Sequence, residues 1–173
     1  MIEIYTDGSY KRKTNIGGFG VAAFKNNELL YVYCKHFNDV TNNQMELKAI
    51  IHACEWADKY FPDEEVIIYS DSSYCVKSIN EWMKTWAVNN WISASKKPVE
   101  NVELMKTLYK YFNQEFYHVS VQWIKSHNEN IGNELADALA QNDSNKFWKL
   151  MEKIPVTFVV AKGNSKNNIF DFL

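Results

Sequence analysis

Apolar and polar positions alternate over residues 2–6, a segment rich in β-branched and aromatic side chains, and this predicts a strand. Residues 17–25 and 28–36 predict two more, joined at Asn26-Asn27, a pair that tolerates the left-handed backbone of a tight hairpin. Over residues 42–60 the period becomes helical, with Leu47, Ile50, Ile51, Cys54 and Ala57 on one side. Asn42 is expected as the N-cap of that helix and Pro62 as its stop. The apolar run 65–70 predicts a buried strand, ending at Asp71, as the first strand ends at Asp7. Helical patterns cover 72–84, 100–113 and 131–142, and residues 118–124 alternate as a fifth strand. This order implies an α/β protein with a mixed five-stranded sheet flanked by helices.

From about residue 143 the pattern changes. Residues 146–154 predict a helix carrying Phe147, Leu150 and Met151 on one stripe, and 156–160 form a short β-type run. A polar stretch, 162–168, then leads to Ile169-Phe170-Asp171-Phe172-Leu173. The organisation is therefore a domain of residues 1–142 and a C-terminal extension, 143–173, without internal repeats.

Composition narrows the reading. Of the 173 residues, 46% are hydrophobic, enough for a full core. With 19 basic against 21 acidic residues the net charge is −2, which excludes a general cationic coat. A polyanionic partner must be met by a local patch or through metal ions. Cys34, Cys54 and Cys75 are odd in number and form no Cys-x-x-Cys pair, so they read as buried thiols in a reduced, cytoplasmic setting. Neither a signal-peptide pattern nor a long apolar run is present, so no membrane association is expected.

Four carboxylates stand out. Asp7 and Asp71 fall at strand ends, where α/β sheets bind ligands, although each has an ordinary reading as a turn former or helix cap. Glu46 shares the edge of the helical stripe with Ile50, Ala53 and Ala57, and a carboxylate facing a sheet is costly unless paired or metal-bound. Asp137 points away from the packing face of Leu135, Ala136, Leu139 and Ala140. If the four converge on one sheet edge, hard divalent cations resolve their repulsion, and a two-ion site can drive phosphodiester cleavage.

Four ordered motifs carry a resemblance: Thr6-Asp7-Gly8-Ser9, Asn42-Asn43-Gln44-Met45-Glu46-Leu47, Ser70-Asp71-Ser72-Ser73-Tyr74 and Gly132-Asn133-Glu134-Leu135-Ala136-Asp137. With His127 ten positions before Asp137, the sequence over residues 1–142 strongly resembles the type 1 ribonuclease H family. The resemblance implies the ribonuclease H-like fold and a metal-dependent endonuclease. Such an enzyme hydrolyses the RNA strand of RNA–DNA hybrids with two Mg²⁺ ions, or Mn²⁺, leaving 5′-phosphate and 3′-hydroxyl ends. It implies Asp7, Glu46, Asp71 and Asp137 as catalytic metal ligands and His127 as a loop residue assisting proton transfer or product release.

For the substrate, Asn42 and Asn43 resemble minor-groove contacts, and Thr41 resembles part of a phosphate pocket for the DNA strand. Gly8, Ser9 and Ser73 are expected to add contacts. Residues 82–98 resemble a substrate-binding protrusion with Trp82, Trp86, Trp91, Lys96 and Lys97, though it is less basic than the usual form of this element. Arg12 is the chain's one arginine, which argues for shape recognition rather than arginine–guanine readout. Ile169, Phe170, Phe172 and Leu173 are expected either to pack on the domain or to dock on a partner such as a sliding clamp. The enzyme is expected to be monomeric and to act in replication, on primers or R-loops. Competing classes are a catalytically silent nucleic-acid binder, a tethered accessory protein, and another two-metal nuclease of the same superfold.

Overall fold

A computed structural model describes residues 1–126 and 129–161. His127, Asn128 and the terminal residues Ile169, Phe170, Phe172 and Leu173 lie outside the described residues. The chain opens with β1 (Ile2–Lys11), β2 (Ile16–Lys25) and β3 (Glu28–Asn38), a meander whose second hairpin turns at Asn26 and Asn27, both with positive φ. The order continues through α1 (Asn42–Tyr60), β4 (Val66–Ser70), α2 (Ser73–Lys77), a π-helical turn (Ser78–Trp82), α3 (Met83–Val88) and α4 (Val102–Phe112). It ends with β5 (Val119–Trp123), α5 (Ile131–Gln141), α6 (Ser144–Met151) and β6 (Val156–Ala161).

The five expected strands form a mixed sheet. A sixth, β6, comes from the extension and pairs parallel to β3, giving the order β5-β4-β1-β2-β3-β6. β1 is antiparallel to β2 and parallel to β4, and β4 is parallel to β5.

Each face of the sheet carries its own apolar cluster. On one face Ile2, Ile4 and Ile68 meet α1 through Leu47, Ile50, Ala53 and Ala57, together with Cys75, Met83, Met105 and Leu108. On the other, Tyr5, Ala22, Phe24 and Val32 meet Leu135, Ala136 and Leu139 of α5, and Phe147 of α6 is fully buried there. Gly20 lets α5 approach β2, because a Cβ at Gly20 would lie 2.7 Å from Leu139 Cβ. All three cysteines are buried, and burial pushes the Cys75 thiol up to about 12. Among the described residues no helix is long and apolar enough to cross a membrane.

Several boundaries differ from the expected ones, α6 among them, which spans Ser144–Met151 rather than 146–154. β1 runs beyond Asp7 to Lys11, because Gly8–Lys11 keep pairing with Ile16–Phe19 of β2. The N-cap of α1 is Thr41, not Asn42: the Thr41 hydroxyl accepts from the Gln44 N–H (3.2 Å) and the Gln44 side chain accepts from the Thr41 N–H (3.0 Å), a reciprocal capping box. The helical pattern over 72–84 resolves into α2, the π turn and α3, and ends at Val88.

Candidate active site

The parallel pairing of β1 with β4 ends at Thr6 and Ser70, which stand opposite each other. Asp7 is the next residue of β1 and Asp71 immediately follows β4, so the two carboxylates emerge side by side where the sheet opens. Strand alternation then turns Asp7 toward the α5 face, which Tyr5 also serves, and Gly8 toward α1. The first turn of α1 sits directly on Gly8: a Cβ there would lie 2.8 Å from the Met45 carbonyl carbon and 2.9 Å from Glu46 Cα. Glycine at this position brings Glu46 down onto the strand end. Gly8, expected to contact substrate, serves this close approach.

Asp7 and Glu46 are buried, only 7% and 4% exposed. One oxygen from each of Asp7, Glu46 and Asp71 lies within 4.8 Å of the other two. Glu46 Oε2 is fully enclosed and has no hydrogen-bond partner among the described residues. Burial, followed by the charges of Asp71 and Asp137, pushes the Asp7 carboxyl well above the usual carboxylate range. Burial, then Asp7 and Asp71, does the same to Glu46, against the opposing pull of the Gly8 N–H and the Asn42 side chain. Crowded oxygen donors with one buried oxygen left over suit a hard divalent cation, whose charge relieves both the repulsion and the lost hydration.

Asp137 reaches the same cavity, of about 560 Å³, from α5 on the opposite layer. Its carboxylate is held from two sides: Oδ1 accepts from Gln141 Nε2 (2.5 Å) and Oδ2 from Lys146 Nζ (2.6 Å). Partial burial raises its pKa, but the hydrogen bonds from Lys146 and Gln141 outweigh that and hold it below the usual value. Asn133, one turn before Asp137 and also lining the cavity, is 3% exposed, and its Oδ1 has no partner among the described residues. Lys146, Gln141 and Asn133 are site residues that sequence reasoning missed. Asn133 and Gln141 stand one turn on either side of Asp137, a spacing that signals a shared helix face. Lys146 carries no such signal, because it arrives on another helix.

Of the expected substrate residues, Gly8, Ser9 and Asn42 line this cavity, whereas Trp82 and Trp86 line a separate groove. Asn42 and Asn43 occupy the first turn of α1 beside Glu46, and Asn42 lines the cavity. Thr41 is exposed and its side chain caps α1. The Ser9 hydroxyl donates to the Ala140 carbonyl (2.8 Å), and Ser73 is exposed at the start of α2. In the protrusion Trp86 and Trp91 pack partly against the core, and Trp91 meets Tyr109 edge-on at 5.7 Å. Trp82 and Trp86 lie 5.7 Å apart and line an open groove with Val88, Asn89 and Asn90. Lys96 and Lys97 are exposed beyond it.

Comparison with known proteins decides the family, because residues 1–145 match the family described as RNase H. The chain belongs to the ribonuclease H family. A ribonuclease H of Orientia tsutsugamushi (strain Boryong) is 39% identical over 150 residues, covering 86% of this chain and 85% of the relative. The ribonuclease H of Methylobacillus flagellatus (strain ATCC 51484 / DSM 6875 / VKM B-1610 / KT) is 40% identical over 147 residues, covering 81% and 89%. The fold is that of the solution structure of the PFV RNase H domain, with a TM-score of 0.70 at 23% identity over 86% of this chain and 94% of that one. As a ribonuclease H, the chain is a nuclease.

Proposed function

We propose that this ribonuclease H hydrolyses the RNA strand of RNA–DNA hybrids at the Asp7–Glu46–Asp71–Asp137 site, with Mg²⁺ or Mn²⁺ as a two-ion cofactor, leaving 5′-phosphate and 3′-hydroxyl ends. The observation that carries this reading is the cluster of three carboxylates within 4.8 Å, one of whose buried oxygens has no partner among the described residues. When bound, the ions supply an activated water and neutralise charge at the scissile phosphate. The protein's part is placement. Gly8 seats the first turn of α1 on the strand end, and Gln141 and Lys146 orient Asp137. Asn42 and Asn43, at the helix N-terminus, are suited to hydrogen-bond a 2′-hydroxyl and so to separate RNA from DNA. Trp82 and Trp86 offer ring faces to the hybrid, and Lys96 and Lys97 offer charge to its phosphates. His127 is assigned proton transfer or product release on its position before Asp137.

The test is cleavage of labelled RNA–DNA, RNA–RNA and DNA–DNA duplexes with Mg²⁺ or EDTA. Only hybrid RNA is expected to be cut, and EDTA is expected to abolish the reaction. Asp7→Asn is expected to lower the rate at least about a thousandfold, ~4 kcal/mol of barrier. The same substitution is expected to raise the melting temperature in EDTA, because it removes one of the crowded buried charges. Equal cleavage of DNA–DNA, or activity surviving Asp7→Asn, would overturn the mechanism.

The reading extends to removal of RNA primers or R-loops during replication. In it the Phe-rich residues 168–173 hold a sliding clamp, which raises the local concentration of substrate. Equal capture of a clamp by the chain with and without those residues would remove that part.

A further inference from the structure

The family match ends at residue 145, yet the next residue touches the acidic site. Lys146 Nζ lies 2.6 Å from Asp137 Oδ2 and 2.5 Å from Glu134 Oε2. Its backbone is fixed from both sides. The Lys146 N–H donates to the Asp143 side chain that caps α6 (2.9 Å), and the following residue, Phe147, is fully buried in the second core. The Lys146 side chain is 29% exposed, whereas Lys149, on the same helix, is exposed. The ammonium is therefore delivered to the site by a docked helix.

The four carboxylates are thereby made unequal. Glu46 keeps a buried oxygen without a partner among the described residues, and Asp7, Glu46 and Asp71 are mutually within ion-binding reach. Asp137 instead meets the site with both oxygens already engaged, one of them by a cation. We infer that Lys146 is a positioning residue and built-in counter-cation: the C-terminal extension uses it to weaken divalent-ion binding at the Asp137 side of the site. This rests on the reading of Asp137 as an ion ligand. An incoming ion must compete with the ammonium for Oδ2 and meets a negative potential that Lys146 has already reduced. Glu134 keeps a second anchor for the ammonium when Oδ2 is drawn toward the ion.

Calorimetric titration of the full chain with Mn²⁺ tests this without relying on turnover. Lys146→Met and Lys146→Gln are expected to tighten the weaker binding event about tenfold, and Lys146→Arg to stay near wild type. The Mn²⁺ concentration giving half-maximal hybrid cleavage is expected to fall in parallel in the two neutral variants. Two neutral side chains of different polarity are used so that a folding defect in one, seen by circular dichroism, leaves the other to decide. Unchanged or weaker Mn²⁺ binding in a folded neutral variant overturns the inference. Asp137→Asn separates the two levels. If it weakens Mn²⁺ binding while the lysine variants do nothing, the role of Lys146 alone fails. If it leaves binding unaltered, the ligand assignment of Asp137 fails too.

Discussion

His52 shows what a single buried ring can impose on the whole protein. It lies on α1 against the β3 face, stacked on Tyr33 at 4.0 Å, with Nε2 2.9 Å from the Tyr31 hydroxyl. Burial, aided by the charge of Lys35, lowers its pKa from 6.5 to about 4. Between those two values the unfolded chain binds a proton at this residue and the folded chain does not. The stability owed to neutral His52 is therefore complete above pH 6.5 and is lost as pH falls toward 4. At 1.36 kcal/mol per pH unit the loss is about 3 kcal/mol. Urea unfolding in EDTA at pH 7.5 and pH 4 is expected to show that much less acid sensitivity in His52→Gln than in wild type. Identical pH slopes in the two proteins would show that the ring is protonated in place at no cost.

At the scale of elements, α6 ties the extension to the body of the protein. Phe147 is fully buried among Leu135, Leu139 and the inner face of β2 and β3. Phe147→Ala is expected to cost about 3 kcal/mol, the usual range for emptying a core site. It is also expected to hasten tryptic cleavage beside Lys146 and Lys149; an unaltered urea midpoint would mean that α6 contributes nothing to the core. The stripe of Phe147, Leu150 and Met151 is visible in the sequence because a helix repeats it locally. The same holds for α1, α5 and the Asn26-Asn27 hairpin, and for Asp7, Glu46, Asp71 and Asp137, each of which sits in a motif of its own. What stayed hidden depends on partners distant in sequence. Gly8-Ser9-Tyr10-Lys11 has weak strand character, and β2 makes it a strand. Cys75, Ile79 and Met83 recur every fourth residue, which drifts off an ordinary helix face; the wider π turn between α2 and α3 restores their common burial. The pairing of Lys146 with Asp137 spans two helices and the turn between them, so neither residue announces it.

For the whole molecule, a net charge of −2 has to coexist with a polyanionic substrate. The two helical layers resolve this by meeting at the end of the sheet. Glu46 comes from one layer and Asp137 from the other, so the negative charge is concentrated in a single cavity where ions can neutralise it. Phosphate contacts must then come from small basic groups around the rim. Lys11-Arg12-Lys13 is placed for this. Lys11 ends β1 at the cavity wall with Nζ 3.1 Å from the Gln141 carbonyl, and Arg12 and Lys13 are exposed just beyond it. The combined substitution Lys11→Ala, Arg12→Ala, Lys13→Ala leaves the carboxylates in place, so kcat is expected to hold while KM for hybrid rises. Each lost phosphate contact removes slightly less than one from the slope of log affinity against log salt, so the slope is expected to fall by about 2–3. A raised KM with an unchanged slope would mean that these residues act through the fold, leaving the protrusion with Lys96 and Lys97 to carry the electrostatic grip.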